Sequence, residues 1–291
     1  MALAAVVSTL AALVAPEATP AGLTPHEKAA LVVISGLPAP PGVGGVIVRR
    51  WDRHLRRPRG ALVFADQEGG EVRAFPSLPP RLPASSYRTV AEAFTAGQDT
   101  GGALGASGVD VALAPVLDAP DGPLGSRLFR SQRLGVVFGL GVQRAGTAPC
   151  AKHFPGLGST PRSTDEARVH GRLRGREVRG FQVGAFPCVM VGHAIYPPLG
   201  RRRASLEPAT YRLLRRRGFR GIAITDSLGV LGSPFAPYWA RLALRAGADM
   251  VLFTSPRDAR RAMRALVPLA RRGELDIAVG RILRFRVRYL N

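Results

Sequence analysis

Residues 109–118, Val109-Asp110-Val111-Ala112-Leu113-Ala114-Pro115-Val116-Leu117-Asp118, form an apolar, β-branched run that stops at a proline and delivers an ionisable side chain just beyond it. A run without polar alternation is the pattern of a strand covered on both faces, as in a parallel sheet. Working outward, similar runs occur at Leu31–Ser35, Gly45–Val48, Ala61–Ala65, Cys150–Phe154, Val189–His193, Ile222–Thr225 and Met250–Thr254, which with 109–114 makes eight. Amphipathic stretches between them predict helices over Thr89–Ala106, Leu134–Ala145, Thr164–Val183, Glu207–Arg217, Tyr238–Ala246 and Asp258–Arg272, with Leu275–Tyr289 closing the chain. Strands alternating with helices over roughly 260 residues predict a single-domain α/β fold, a (β/α)8 TIM barrel, over residues 23–291. An open doubly wound sheet fits less well. No G-x-G-x-x-G follows a strand, and the cluster Gly42-Val43-Gly44-Gly45 precedes one instead.

The 291 residues are 46% hydrophobic, enough for a sizeable core and against disorder. The formal charge is +21, and of 41 basic residues only Lys28 and Lys152 are lysines. Such a charge admits a nucleic-acid or anionic-surface partner. The arginines, however, are spread through every region and lack interleaved aromatics, which is the pattern of a compositional bias, so no specific nucleic-acid partner is expected. Cys150 and Cys188 each adjoin a predicted buried strand and read as two free core thiols, and no zinc-ligand spacing or cofactor loop is present. The apolar run Ala2–Ala15 is too short to span a bilayer and lacks a basic flank. Residues 1–22 read either as an export-signal remnant with its linker or as an extra N-terminal helix, which leaves export or cytoplasmic residence open. The chain is expected to be a monomer.

In a barrel of this kind, polar groups at the carboxyl ends of the strands face the active site. Those ends carry Asp66-Gln67-Glu68, Asp118, Lys152-His153, His193 and Asp226. Singly, Asp118 or Asp226 reads equally as a helix N-cap, and His193 as a satisfied core histidine. Together they suggest an enzyme acting on a polar ligand, with carboxylates at its centre. Lys152 admits two roles, Schiff-base chemistry or hydrogen bonding to sugar hydroxyls.

The same residues resemble the N-terminal catalytic barrel of glycoside hydrolase family 3, in its bacterial β-N-acetylglucosaminidase branch. The resemblance rests on Asp66-Gln67-Glu68-Gly69-Gly70, Ala114-Pro115-Val116-Leu117-Asp118, Lys152-His153-Phe154-Pro155-Gly156, Val189–Pro197 and Ile224-Thr225-Asp226-Ser227-Leu228, in the family's order. It implies a retaining hydrolysis of a terminal β-linked N-acetylglucosamine, with cell-wall fragments as the source, without cofactor or metal. Asp226 would be the nucleophile. Asp66, Arg127, Lys152 and His153 would hold the sugar, with His193 lining the same site. The chain departs from the family where the signature continues K-H-F-P-G-H-G-D-T-x-x-D-S-H, because Ser163 and Asp165 stand where the family carries its Asp and His acid/base dyad. The loop after Gly70 also departs, running Glu71-Val72-Arg73-Ala74 where the family usually has flanking Arg. Three outcomes stay open: Asp165 or Glu166 serves as the acid, His170 folds back into that role, or the barrel binds sugar without turning it over. Against the first stands the plainer reading of Asp165-Glu166 as the first turn of a helix capped by Thr164.

Overall fold

A computed structural model describes residues 20–290, so the reading of 1–22 as a signal remnant or extra helix falls almost wholly outside the described residues. Eight parallel strands close into a barrel: β1 (Val33–Ser35), β2 (Gly45–Val48), β3 (Leu62–Ala65), β6 (Val111–Ala112), β7 (Ala148–Phe154), β8 (Cys188–Val191), β9 (Ile222–Ser227) and β10 (Met250–Phe253). A small antiparallel hairpin, β4 (Gln67–Gly69) with β5 (Val72–Arg73), stands on the end of β3. Around the barrel lie α1 (Pro25–Leu31), α2 (Val90–Ala106), α3 (Gln132–Arg144), α4 (Gly175–Gly180), α5 (Pro208–Arg216), α6 (Ala236–Ala246), α7 (Pro256–Arg271) and α8 (Asp276–Tyr289). The predicted TIM barrel is therefore the fold, and the eight apolar runs are its eight staves. None of the described helices is long and apolar enough to cross a membrane.

Local chemistry explains where the helices begin and end. Thr24 with Glu27, and Thr89 with Glu92, close capping boxes at the starts of α1 and α2, and Ser131 and Ser255 cap α3 and α7. Arginines sit in the last turn of α3 to α8, where a cation offsets the negative pole of the helix. The closest helix pair is α2 against α3. A side chain on Gly97 would place its Cβ 2.1 Å from the Phe138 carbonyl oxygen, so glycine is required for that approach.

The β1–β2 and β2–β3 connections, residues 36–44 and 49–61, carry no helix, as the absence of a helical pattern there implies; Pro38, Pro40, Pro41 and Pro58 interrupt them. Two expectations need correction. The helix expected over Thr164–Val183 shrinks to α4, and the stretch before it is a loop bound to a neighbouring strand end rather than to itself. Asp165-Glu166 is accordingly a turn and not the first turn of a helix. Finally, Cys150 and Cys188 are joined in a disulfide. The parallel register of β7 and β8 sets the two residues directly opposite one another, with Cα atoms 4.3 Å apart.

Candidate active site

At the carboxyl end of β3 the chain stays extended into β4, so Asp66 and Glu68, two residues apart, project to the same side. Both meet Lys152 from β7: its Nζ donates to Asp66 Oδ1 at 2.6 Å and lies 2.6 Å from Glu68 Oε1. Arg127, in the loop before α3, donates to Glu68 through Nε at 2.7 Å and Nη2 at 2.9 Å. Burial alone would push Glu68 up, but Lys152 and Arg127 overcome it and bring the carboxyl down to about 2. Lys152 is opposed by burial and by Arg127, yet Asp66 and Glu68 raise it above the ordinary lysine value, so it is an ammonium. That state rules against Lys152 as the free amine a Schiff base requires.

Three groups in this cluster keep an unused valence. Lys152 has three donors and two carboxylate partners. Arg127 keeps Nη1 free of Glu68. Asp66, with 37% of its side chain exposed, keeps an oxygen open to the mouth.

His153, also on β7, is oriented by Asp118. The carboxylate accepts from its Nδ1 at 2.8 Å, from its backbone N–H at 3.3 Å and from the Leu157 N–H at 2.8 Å. Nδ1 therefore donates to Asp118, and Nε2 is the ring nitrogen left for a ligand.

Asp226 lies at the end of β9, half-buried, with Oδ1 accepting from the Ser227 N–H at 2.7 Å. Burial works against its charge, but His193, His153, the Ser227 amide and Lys152 together hold the carboxyl below its ordinary value. His193 is buried on the end of β8. The Ser205 hydroxyl donates to its Nδ1 at 2.7 Å, and its Nε2–H donates to the Ser227 carbonyl at 3.0 Å. Burial lowers the pKa of this imidazole, and its two hydrogen bonds make it a strut that fixes the peptide following Asp226.

Asp165 stands on the exposed turn of the β7–α4 loop. Its carboxyl is pushed up, first by partial loss of hydration and next by the charge of Asp226, against the pull of His153, His193 and Arg127. The two carboxylates thus share one field and are displaced in opposite directions. His170 is tied by backbone pairing to Ile195, and among the described residues no hydrogen bond involves its imidazole. Glu166 is exposed on the same turn as Asp165.

Asp66, Arg127, Lys152, His153, His193, Asp226 and Asp165 therefore fall in one electrostatically connected mouth. Sequence reasoning set Glu68 and Asp118 at the strand ends without a role; Glu68 is the hub of the ion network and Asp118 the anchor of His153. The period of two in Asp66-Gln67-Glu68 was the available signal for the first. A third omission is Glu177, buried on α4, which accepts from the N–H groups of Ala119 at 2.9 Å and Gly158 at 2.8 Å and so ties together the loops after β6 and β7. Among the described residues no group of three or more His, Cys, Asp or Glu side chains is disposed to hold a metal ion.

Residues 48–285 match the glycosyl hydrolase family 3 N terminal domain. A beta-hexosaminidase of Alkalilimnicola ehrlichii is 33% identical over 241 residues, covering 70% of this chain and 68% of that protein. A glycosyl hydrolase family 3 structure from Mycobacterium smegmatis superposes with a TM-score of 0.81 at 27% identity, covering 94% of this chain and 98% of that one. A family 3 beta-N-acetylglucosaminidase from Paenibacillus sp. gives 0.81 at 26% identity, covering 92% of this chain; this chain spans 63% of that longer one.

Proposed function

The chain belongs to glycosyl hydrolase family 3, and on that premise we propose that it is a retaining glycosidase releasing a terminal β-linked N-acetylglucosamine, with Asp226 as nucleophile and Asp165 as acid/base. The sugar rests on the unused valences of the cluster. Lys152 and the free Nη1 of Arg127 donate to hydroxyls, Asp66 accepts from them, and His153 Nε2 makes a further contact. Asp226 then attacks through the oxygen not engaged by Ser227. A bond forms between that oxygen and the anomeric carbon as the glycosidic bond breaks, and the proton of Asp165 passes to the leaving oxygen. In the second half-reaction Asp165 takes a proton from water, which displaces Asp226 from the sugar with net retention. Cell-wall fragments supply glycosides of this kind.

The observation that carries the reading is the opposed displacement of two carboxylates in one mouth, Asp226 held low and Asp165 pushed up. A nucleophile works ionised and an acid works protonated, and displacements in these two directions favour that division of roles. Support for the sugar comes from the beta-hexosaminidase names of the relatives.

The test is incubation with a 5-fluoro N-acetylglucosaminyl fluoride followed by intact-mass and peptide analysis, beside turnover of a chromogenic N-acetyl-β-glucosaminide. A covalent adduct on the peptide containing Asp226, absent in Asp226→Asn, is expected. A turning-over enzyme that forms its adduct elsewhere overturns the nucleophile assignment. The second reading, a sugar-binding barrel without turnover, draws on Ser163 and Asp165 replacing the family's dyad. Saturable sugar binding with neither adduct nor turnover would favour it.

A further inference from the structure

The large apolar side chains that stand exposed are not spread evenly. Among the described residues, Leu140 lies on the flank of α3, and Ile277 and Val287 lie on α8. The other six share the mouth face of the barrel: Trp51 in the loop after β2, Leu82 in the loop after the β4–β5 hairpin, Val90 in the first turn of α2, Val230 and Phe235 in the loop after β9, and Tyr238 in the first turn of α6. In this fold the loops that leave the strands, and the first turns of the helices they enter, lie at one end. Around the barrel β9, β10, β1, β2 and β3 are consecutive, so the six form a crescent along one half of the rim. The loops after β6, β7 and β8, which supply Arg127, Asp165 and His193, expose none of the described large apolar side chains.

Both horns of the crescent are braced. In the turn after β2, Asp52, only 3% exposed, accepts from the Arg49 backbone N–H at 2.6 Å and from its Nε at 2.7 Å, and the Arg49 guanidinium lies 5.0 Å from the centre of the Trp51 ring. After β9, Arg261 donates to the carbonyls of Ser233 at 3.0 Å and Pro234 at 2.8 Å, and the Trp239 Nε1–H donates to the Leu231 carbonyl at 3.2 Å. Trp239 packs edge-on against Phe235 and Tyr238, with ring centres 6.2 and 4.9 Å apart. Trp51, 69% exposed, and Phe235, 58% exposed, are thus held out into water by ordered polar anchors. Single exposed apolar residues are ordinary, whereas a braced row of them on one face marks an interaction surface.

The charges on the same arc select the partner. Arg50, Arg81, Arg88 and Arg257 are exposed there. Of its acids, Asp52 and Asp258 are buried and hold Arg49 and Ser233, Asp66 holds Lys152, and Glu92 caps α2, which leaves Glu71. Aromatic and aliphatic tips interspersed with arginines suit a layer of anionic headgroups, where rings insert at the interface and guanidiniums pair with phosphates. We infer that this crescent docks the protein on an anionic lipid surface, tipping the mouth toward it and leaving the β6–β8 half of the rim open. The inference is independent of the glycosidase reading, and it puts part of the chain's positive charge to use on one face.

The test is sedimentation of the full chain with vesicles, either phosphatidylcholine alone or phosphatidylcholine mixed with phosphatidylglycerol, at physiological salt. Binding about tenfold stronger to the anionic vesicles is expected. Phe235→Ser combined with Tyr238→Ser should weaken it about tenfold, and Trp51→Ser about fivefold. Ile277→Ser combined with Val287→Ser removes apolar surface from α8 instead and should leave binding unchanged. All five side chains are exposed, so the variants keep the native fold, which a thermal melt of each checks. No binding to vesicles, or equal binding to both kinds, overturns the inference. Binding that the crescent substitutions leave intact, or that the α8 pair weakens equally, overturns it as well, because another part of the chain then makes the contact. Retention on insoluble chitin with none on vesicles overturns it in favour of a glycan partner. None of these readouts needs turnover, so the glycosidase reading stands or falls separately.

Discussion

Replacing Glu68 by Gln tests whether the mouth is built around one buried charge. Glu68 accepts from Arg127 Nε at 2.7 Å and Nη2 at 2.9 Å, and its Oε1 lies 2.6 Å from Lys152 Nζ. A carboxyl moved from an ordinary 4.5 to about 2 corresponds to about 3 kcal/mol favouring the folded state. Removing one partner of a buried ion pair gives a similar figure, about 3–5 kcal/mol, because the remaining cations are stranded. Glu68→Gln keeps the shape and removes the charge, so at pH 7 it should cost about 3 kcal/mol and lower Tm by about 5 °C for a chain of this length. The pH dependence has a definite sign. The folded value lies below the unfolded one, so the native advantage is whole above about pH 4.5 and disappears as pH falls toward 2. Urea unfolding of both proteins at pH 7 and pH 3 is the measurement. A loss under about 1 kcal/mol at pH 7, or a gap of equal size at both values, would refute the reasoning. Turnover should fall as well, because Arg127 and Lys152 lose the anchor that aims their free donors.

Other perturbations separate the remaining roles. Asp165→Asn should lower kcat/KM about 10²- to 10⁴-fold and abolish the alkaline limb of the pH–rate profile, since an acid with a raised pKa loses its proton as pH rises. A better leaving group should restore the first half-reaction, and unchanged kinetics would remove Asp165 from the mechanism. Asp118→Asn should lower kcat/KM about ten- to a hundredfold by freeing the His153 ring, with little loss of the Asp226 adduct at saturating inactivator. For the Cys150–Cys188 bridge, which closes 38 residues, thiol labelling of the unfolded, unreduced protein should find no free thiol. Its reduction should cost about 3–4 kcal/mol of stability, and two labelled cysteines would contradict the bridge.

Much of the site was legible because a barrel turns a one-dimensional pattern into a place. Once an apolar run is a stave, the ionisable residue at its carboxyl end has only the mouth to occupy, which is why Asp66, Lys152, His153 and Asp226 could be named together from spacing alone. Glu68 belonged to a quoted motif and still received no role, since nothing local marks it as the partner of two cations; the hairpin keeps the backbone extended and holds the period of two for one further step. Asp118 and His153, 35 residues apart, meet only through the β6–β7 neighbourhood, and no local signal distinguishes such a partner from an N-cap. The two cysteines show the same limit. Their burial is local information, whereas their juxtaposition depends on the register between β7 and β8.

The loop holding Asp165 failed for a different reason. Residues 164–183 carry an amphipathic pattern, and helix propensity is a weak preference that tertiary pairing overrides. Here the competing partner is Ile195, whose backbone pairs with both Val169–Gly171 and the Arg203 segment. Had the helix formed, Asp165 would have sat in its first turn, where the positive pole favours the carboxylate and holds the pKa down. In the open turn the pole is absent, and partial loss of hydration together with Asp226 acts in the opposite direction. The chain lacks a histidine at this position, so the conformation of the loop sets the direction in which this carboxyl's pKa moves. The three-stranded ladder at Ile195 is therefore as much a condition of the proposed acid chemistry as Asp165 itself.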